Sequence, residues 1–154
     1  MCLRARERIA RYDVDHIGLD LMVTCGPDTF LEQHGRHRVR PGDLLITDYG
    51  QPLRVSRSRH RSISILVPRR VASEALGASL GSLVGRSVAA GGMAAVLRSH
   101  MRASIDEAAR MTPQQRAVAV NAAGDMALAV LQAELGNRVD DDQLGAGFTG
   151  PPDG

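Results

Sequence analysis

The fold of the first half is indicated by residues 33–44, QHGRHRVRPGDL. Two turn signals divide this stretch. Gly35 allows a tight reversal of the chain, and the later Pro41 presets φ for a second turn. Gly42 accepts a left-handed conformation there, and the Asp43 carboxylate can accept hydrogen bonds from backbone N–H groups of its own turn. The stretch therefore predicts a hairpin around residues 34–35 and a sharp turn before the next strand.

Alternating apolar residues flank this stretch on both sides. Every second residue is aliphatic in residues 17–23 and again in residues 63–67, which is the period expected of half-buried strands. Further short strands are predicted at residues 30–33, 36–40, 44–48 and 53–56. Six short strands separated by turn residues indicate an antiparallel meander, a sandwich or a barrel.

The period becomes helical after Pro68, which suits the first position of a helix ending near Leu76. Residues 93–110 place apolar side chains at helical spacing. The run Thr112-Pro113-Gln114-Gln115 is a capping box that opens another helix, which we expect to stop at Gly136. One or two residues separate the two longer helices, so they should form an antiparallel hairpin.

The 154 residues suffice for one domain with a core. We assign residues 1–136 to it, with a β-half over 1–67 and a helical half over 68–136. Residues 137–154 are acidic and rich in Gly and Pro, and they lack apolar periodicity. They are predicted to be a disordered tail.

Charge and cysteine content narrow the possible partners. The formal net charge is +2, so no global field attracts the chain to DNA. Cys2 and Cys25 are not at metal-type spacing. No signal segment opens the chain, and no uninterrupted apolar run reaches about 18 residues. We therefore expect a soluble, cytoplasmic protein without membrane contact.

The order of these features resembles the ligand-binding domain of AraC-type transcription regulators over roughly residues 8–135. The resemblance rests on the following run of motifs: Gln33-x-Gly35-Arg36, Arg40-Pro41-Gly42-Asp43-Leu44, Asp48, Pro52, and an alternating strand ending at Pro68 before a helix pair. It implies an α+β fold, a cupin-like β-meander or partial barrel followed by an α-helical hairpin. It also implies a pocket for a small-molecule effector and a dimer interface on the helices.

Two polar residues are candidates for lining the effector pocket. Leu31 and Gln33 share a strand face, and the apolar Leu31 suggests that this face points inward. A buried Gln33 must then find a partner, in the protein or in a ligand. His37 shares a face with Val39 on the next strand. Gln33 and His37 are therefore predicted ligand-binding residues, with a purely structural role as the alternative.

The helix opened at Pro113 is apolar on more than one side. One stripe includes Leu128, Leu131 and Leu135, and we predict it to be the dimer interface because a large exposed apolar patch is unusual on a monomer. Burial of both stripes within one chain is the alternative. The expected partner is a second copy or a full-length regulator.

Two departures from the AraC pattern affect the expected function. The family has more strands before the point matching Ile17, so the barrel is expected to be incomplete or closed by another chain. The family also continues into helix-turn-helix motifs after the helix pair. In this sequence the residues after Gly136 are not expected to form a recognition helix. We therefore expect no direct contact with nucleic acid.

A cupin-type metal-dependent enzyme is the alternative function. Glu32, His34 and His37 are close in sequence, but two histidines three residues apart on a strand point to opposite faces. No nucleophile elbow or lysine-containing phosphate loop is present. We expect no metal, no cofactor and no enzymatic activity. The basic run 54–61 could contact phosphates, but without aromatic residues it is better interpreted as a solvated hairpin.

Overall fold

The computed structural model describes residues 2–4, 15–56 and 59–146, and in these seven strands precede the first helix and a short eighth strand follows it. The strands are β1 (Cys2–Arg4), β2 (His16–Thr24), β3 (Phe30–Glu32), β4 (Arg36–Arg38), β5 (Leu44–Asp48), β6 (Leu53–Ser56), β7 (Arg61–Pro68) and β8 (Arg86–Ser87). The helices are α1 (Arg69–Leu76), α2 (Gly92–Glu107) and α3 (Pro113–Ala146), with 3₁₀ turns at Gly77–Ser82 and Ala108–Arg110. The predicted α+β fold is confirmed.

The strands form two antiparallel sheets. The outer sheet has the order β1-β6-β3-β4, and the inner sheet has the order β7-β2-β5-β8. Strand β2 is central in the inner sheet, with Leu19 paired to Ile46 on one side and to Ile65 on the other. Strand β1 precedes the point matching Ile17 and pairs with β6, whereas residues 5–14 lie outside the described part of the chain.

The inner sheet is covered on both faces, which produces three layers. On one face Ile17, Leu19 and Leu21 join the core formed with the helices. On the other face Met22 and Leu45 pack against the outer sheet, in a cluster with Leu31, Val39 and Leu53. The expectation that the strand over residues 17–23 is only half-buried was therefore wrong, since a middle layer has no solvent-facing side.

The two predicted turns are confirmed. In the hairpin His34 and Gly35 have φ of 55° and 143°, and the Gln33 N–H donates to the Gly35 carbonyl at 3.0 Å. In the turn that begins with Pro41, Gly42 has φ of 91°. The Asp43 carboxylate accepts from the Arg40 N–H at 2.8 Å, as its position in the sequence suggested.

The helical half follows the sequence analysis up to Gly136. Pro68 is the N-cap of α1 and not its first helical residue. The capping box forms as predicted: the Gln115 N–H donates to Thr112 Oγ1 at 3.2 Å, and the Thr112 N–H donates to Gln115 Oε1 at 2.9 Å. The helices α2 and α3 pack together, and a 2.8 Å hydrogen bond joins His100 Nε2 to the Ala119 carbonyl.

The predicted helix end at Gly136 was wrong, because α3 continues to Ala146. A glycine in a helix interior costs about 1 kcal/mol and does not by itself stop the helix, and no proline follows before Pro151. The prediction of disorder is thus also wrong for residues 137–146, and residues 147–154 lie outside the described part of the chain.

The interface residues predicted on α3 belong largely to the core of the single chain. Leu131 is fully buried in the cluster that contains Leu19 and Leu97, and Leu128 and Leu135 are partly buried against it. The buried stripe of α3 consists of Ala123, Ala127, Val130 and Leu131. By length and composition alone α3 could cross a membrane, a test that core helices of soluble proteins also pass.

Candidate functional site

A cavity of about 230 Å³ lies between the two sheets. Its walls come from β2, β3, β5, β6 and β7 and from the loops next to them. The lining residues are Asp20, Met22, Thr29, Leu31, Val39, Leu45, Thr47, Tyr49, Leu53, Val55, Ser62 and Ser64. Six of the twelve lining residues are apolar and six carry a polar group, and Ser62 and Ser64 are exposed. The cavity is therefore a mixed polar and apolar pocket that reaches solvent at β7, and such concave pockets are where small molecules bind.

The polar groups come from three strands and a loop. On β2, Asp20 accepts a hydrogen bond from the Tyr49 hydroxyl at 2.9 Å. On β5, the Thr47 hydroxyl is buried and has no hydrogen-bond partner among the described residues. A buried hydroxyl without a partner costs about 1–3 kcal/mol. The Thr47 hydroxyl is thus available to a bound molecule, and Ser62 and Ser64 on β7 add two more hydroxyls to the wall.

The position of Tyr49 depends on a glycine in the neighbouring strand. A Cβ at Gly18 would lie 2.3 Å from Tyr49 Cε2, which is far inside van der Waals contact. Without a side chain at residue 18, the ring lies against β2 and its hydroxyl reaches Asp20. Gly18, Asp20 and Tyr49 therefore form one structural unit at the cavity wall.

Gln33 does not line this cavity. It is buried as predicted, but its partners are backbone groups. Its Nε2 donates to the carbonyls of Asp48 at 2.8 Å and Pro52 at 3.2 Å, and its Oε1 accepts from the Asp48 N–H at 2.7 Å. The amide thus ties the end of β3 to the end of β5. This geometry matches the structural alternative that the sequence left open.

The end of β5 is also joined to α1 by an ion-pair cluster. Arg69 forms salt bridges with Asp48 and Asp15, and Asp48 also accepts the Gly50 N–H at 2.8 Å. Desolvation lowers the pKa of Arg69, but hydrogen bonds to Asp15 and Asp48 outweigh it and leave the pKa raised. The guanidinium therefore stays charged and holds α1 on the sheet.

His37 lies in a different place, a surface recess of about 530 Å³. The recess is lined by His34, His37, Gly81, Ser82, Val84, Arg86, Ser87 and Arg138. The prediction that His34 and His37 point to opposite faces was wrong, because His34 sits in the turn with positive φ and not on the strand. Among the described residues no group of three His, Cys, Asp or Glu could hold a metal ion.

The sequence analysis missed Asp20, Thr47 and Tyr49. The signal for Asp20 was available: it is a carboxylate within an otherwise apolar, alternating strand. Thr47 and Tyr49 gave no comparable signal, because their role depends on the pairing of β5 with β2. In the basic run 54–61, Arg54 pairs with Glu32 at 3.7 Å, and residues 57 and 58 lie outside the described part of the chain.

Two stacked antiparallel sheets with an internal cavity, followed by a helical hairpin, define the class of cupin-like binding domains. The sequence matches the family model of the AraC-binding-like domain over residues 25–132, and the chain belongs to this family. The fold is similar to a crystal structure of the AraC-like transcriptional activator CuxR, with a TM-score of 0.70 and 18% identity. The match covers 84% of this chain and 47% of that one, so this chain spans about half of its neighbour's length. No curated protein matches the sequence significantly.

Proposed function

We propose that the chain is the effector-binding and dimerisation module of an AraC-type transcription regulator, and that the effector binds between the two sheets. The observation that carries this proposal is the unpartnered Thr47 hydroxyl beside the Asp20–Tyr49 pair. It gives a small molecule a polar contact that the protein itself leaves unused. Family membership supports the regulatory role.

The cavity favours a particular class of effector. Its volume of about 230 Å³ is below the range of ~300–1,000 Å³ for drug-sized ligands. The Asp20 carboxylate only accepts hydrogen bonds, whereas the hydroxyls of the cavity both donate and accept them, so the ligand should carry at least one donor such as a hydroxyl or amino group. A negatively charged effector is disfavoured by the Asp20 carboxylate. The best candidates are small neutral or cationic molecules with an apolar body.

A thermal-shift screen tests this proposal. Small alcohols, polyols and amines are compared with small carboxylates, since a ligand that binds only the folded state raises its melting temperature. For a ligand found this way, Thr47→Val should weaken binding about tenfold, as expected for loss of one buried hydrogen bond. Thr24→Val makes the same chemical change at an exposed end of β2 and should leave binding unchanged. Equal affinities in both variants would refute the cavity as the site.

The dimerisation part of the proposal rests on apolar side chains that the single chain leaves exposed. On α3, Val118 and Val120 are 65% and 69% exposed, and on α2, Val96 and Ile105 are about half exposed. Ile105 and Val120 also line a groove of about 630 Å³ between the helices and β7. A homodimer, or a heterodimer with a full-length regulator, would cover this groove and the exposed Ile105 and Val120 in it. Light scattering of the purified chain tests it, and a monomer at tens of micromolar would exclude the homodimer.

The remaining parts of the proposal are that the module acts in the cytoplasm, catalyses no reaction and makes no direct contact with DNA. The near-neutral net charge supports the last of these. Sequence-dependent binding in a gel-shift assay would contradict it. Stoichiometric metal in the purified protein would instead favour a metal-dependent enzyme.

A further inference from the structure

The recess that contains His37 has a chemical character of its own. Among its lining residues are two arginines, Arg86 and Arg138, and two histidines, His34 and His37, and none of its lining residues is acidic. The side chains of Arg86, His34 and His37 form no hydrogen bond or ion pair with the described part of the chain. Arg138 donates to the Ser82 carbonyl and has no carboxylate partner there. The recess thus concentrates unpaired cationic and donor groups.

Three separate elements build this recess. The β3–β4 hairpin supplies the histidines, β8 supplies Arg86, and the part of α3 beyond Gly136 supplies Arg138. The segment before β8 lies directly on the hairpin. The Gly85 N–H donates to the Ile46 carbonyl at 2.8 Å, and a Cβ at Gly85 would meet the Gln33 carbonyl oxygen at 1.8 Å. The basic groups are therefore brought together by tight packing and not by one flexible loop.

We propose that this recess binds the phosphate group of a small phosphorylated molecule or inorganic phosphate. Guanidinium groups match the oxygens of a phosphate with paired N–H donors, and the hydroxyls of Ser82 and Ser87 line the same recess. A phosphate dianion carries more negative charge than a single carboxylate, so the two arginines attract it more strongly. The volume of about 530 Å³ leaves room for a small organic group beyond the phosphate.

Bound phosphate would connect the C-terminal part of α3 to the sheets. In the ligand-free chain, a hydrogen bond from Arg138 to the Ser82 carbonyl links the two sides of the recess. An anion held by Arg138 on one side and by Arg86 on the other adds charge-assisted hydrogen bonds across the same gap. Phosphate binding is thus expected to protect residues 137–146 from exchange and proteolysis. This inference is independent of the effector cavity between the sheets.

Isothermal titration calorimetry at constant ionic strength tests the proposal, with inorganic phosphate, glycerol 3-phosphate and succinate as probes. We expect both phosphates to bind and succinate to bind more weakly. Arg86→Gln should lower phosphate affinity about tenfold, since it removes a charge-assisted hydrogen bond. The Arg86 side chain makes no hydrogen bond or ion pair with the described protein, so the substitution breaks no such contact. Arg102→Gln removes the same charge from an exposed position on α2 outside the recess and should leave affinity unchanged.

Hydrogen exchange provides the second measurement. Phosphate should slow exchange in residues 137–146 of the unmodified protein and not in the Arg86→Gln protein. Equal phosphate affinity in Arg86→Gln and Arg102→Gln would overturn the proposal. So would the same protection from chloride at matched ionic strength, or tighter binding of duplex DNA that displaces phosphate and depends on Arg86.

Discussion

The substitution Gly85→Ala tests the closest backbone approach between the helical half and the sheets. Gly85 has φ of 78°, and an added Cβ would lie 1.8 Å from the Gln33 carbonyl oxygen. The position of the added Cβ is fixed by the backbone of residue 85, and the Gln33 carbonyl oxygen is itself a backbone atom, so neither atom can rotate away. Gly42 offers a matched control, because its φ is 91° and a Cβ there would meet no atom within 4 Å.

The expected loss of stability has two parts. An alanine at positive φ costs about 1–2 kcal/mol at either position. At Gly85 the overlap with Gln33 must also be relieved by moving the backbone, which costs about 1–3 kcal/mol more, as overpacking does elsewhere. We therefore expect Gly85→Ala to lower the free energy of unfolding by about 2–5 kcal/mol, and Gly42→Ala by about 1–2 kcal/mol.

Urea unfolding followed by circular dichroism measures both values. For a chain of this size each kcal/mol also shifts the melting temperature by about 2–4 °C. The difference between the two variants isolates the steric part. If Gly85→Ala and Gly42→Ala lose the same stability, the segment before β8 does not lie on the Gln33 carbonyl, and the packing described for the recess is wrong.

Four further substitutions separate structural from functional roles. Gln33→Leu should destabilise the fold by about 1–3 kcal/mol, because it leaves the Asp48 N–H buried without a partner; urea unfolding measures this, and unchanged stability would contradict the backbone-bridging role. Leu131→Glu should unfold the chain, whereas Val120→Glu should keep its circular dichroism spectrum and reduce the mass measured by light scattering from dimer to monomer. Thr47→Val should leave the melting temperature of the ligand-free protein unchanged or raise it, because the hydroxyl it removes has no partner; a clear decrease would show that the hydroxyl is satisfied within the protein.

Local signals predicted six of the eight described strands, the two turns and the capping box because each depends on residues close in sequence, whereas β1 and β8 were not predicted. The turn that contains Gly42 and Asp43 spans four residues, and so does the capping box formed by Thr112 and Gln115. The end of α3 depended on more distant contacts. Arg138 donates to the Ser82 carbonyl and Glu134 accepts the Ala89 N–H at 3.1 Å, so tertiary contacts lie on both sides of Gly136. A propensity argument at one glycine cannot include them.

The site was only partly predictable for a related reason. Burial of Gln33 followed from its strand face, but the identity of its partner depends on the stacking of the two sheets, which brings the end of β5 with Asp48 beside Gln33. The prediction of a dimer interface on α3 failed for the same reason. Leu128, Leu131 and Leu135 are apolar at helical spacing whether they face the sheet or a second chain, and helical periodicity does not distinguish these cases. Only the packing of α3 on β7, α1 and α2 assigned Leu131 to the core.

Because the inner sheet is the middle layer, it lies between the proposed effector cavity and the helices and connects them mechanically. Side chains alternate across a strand, so β2 carries Asp20 to the cavity while its neighbours Leu19 and Leu21 enter the core under the helices. Leu131 of α3 lies in that same core. Close-packed interiors transmit strain, so under the proposed function an effector that shifts β2 would act on the core that α3 shares with it. The helix that carries the proposed dimer surface is thus one strand away from the proposed effector.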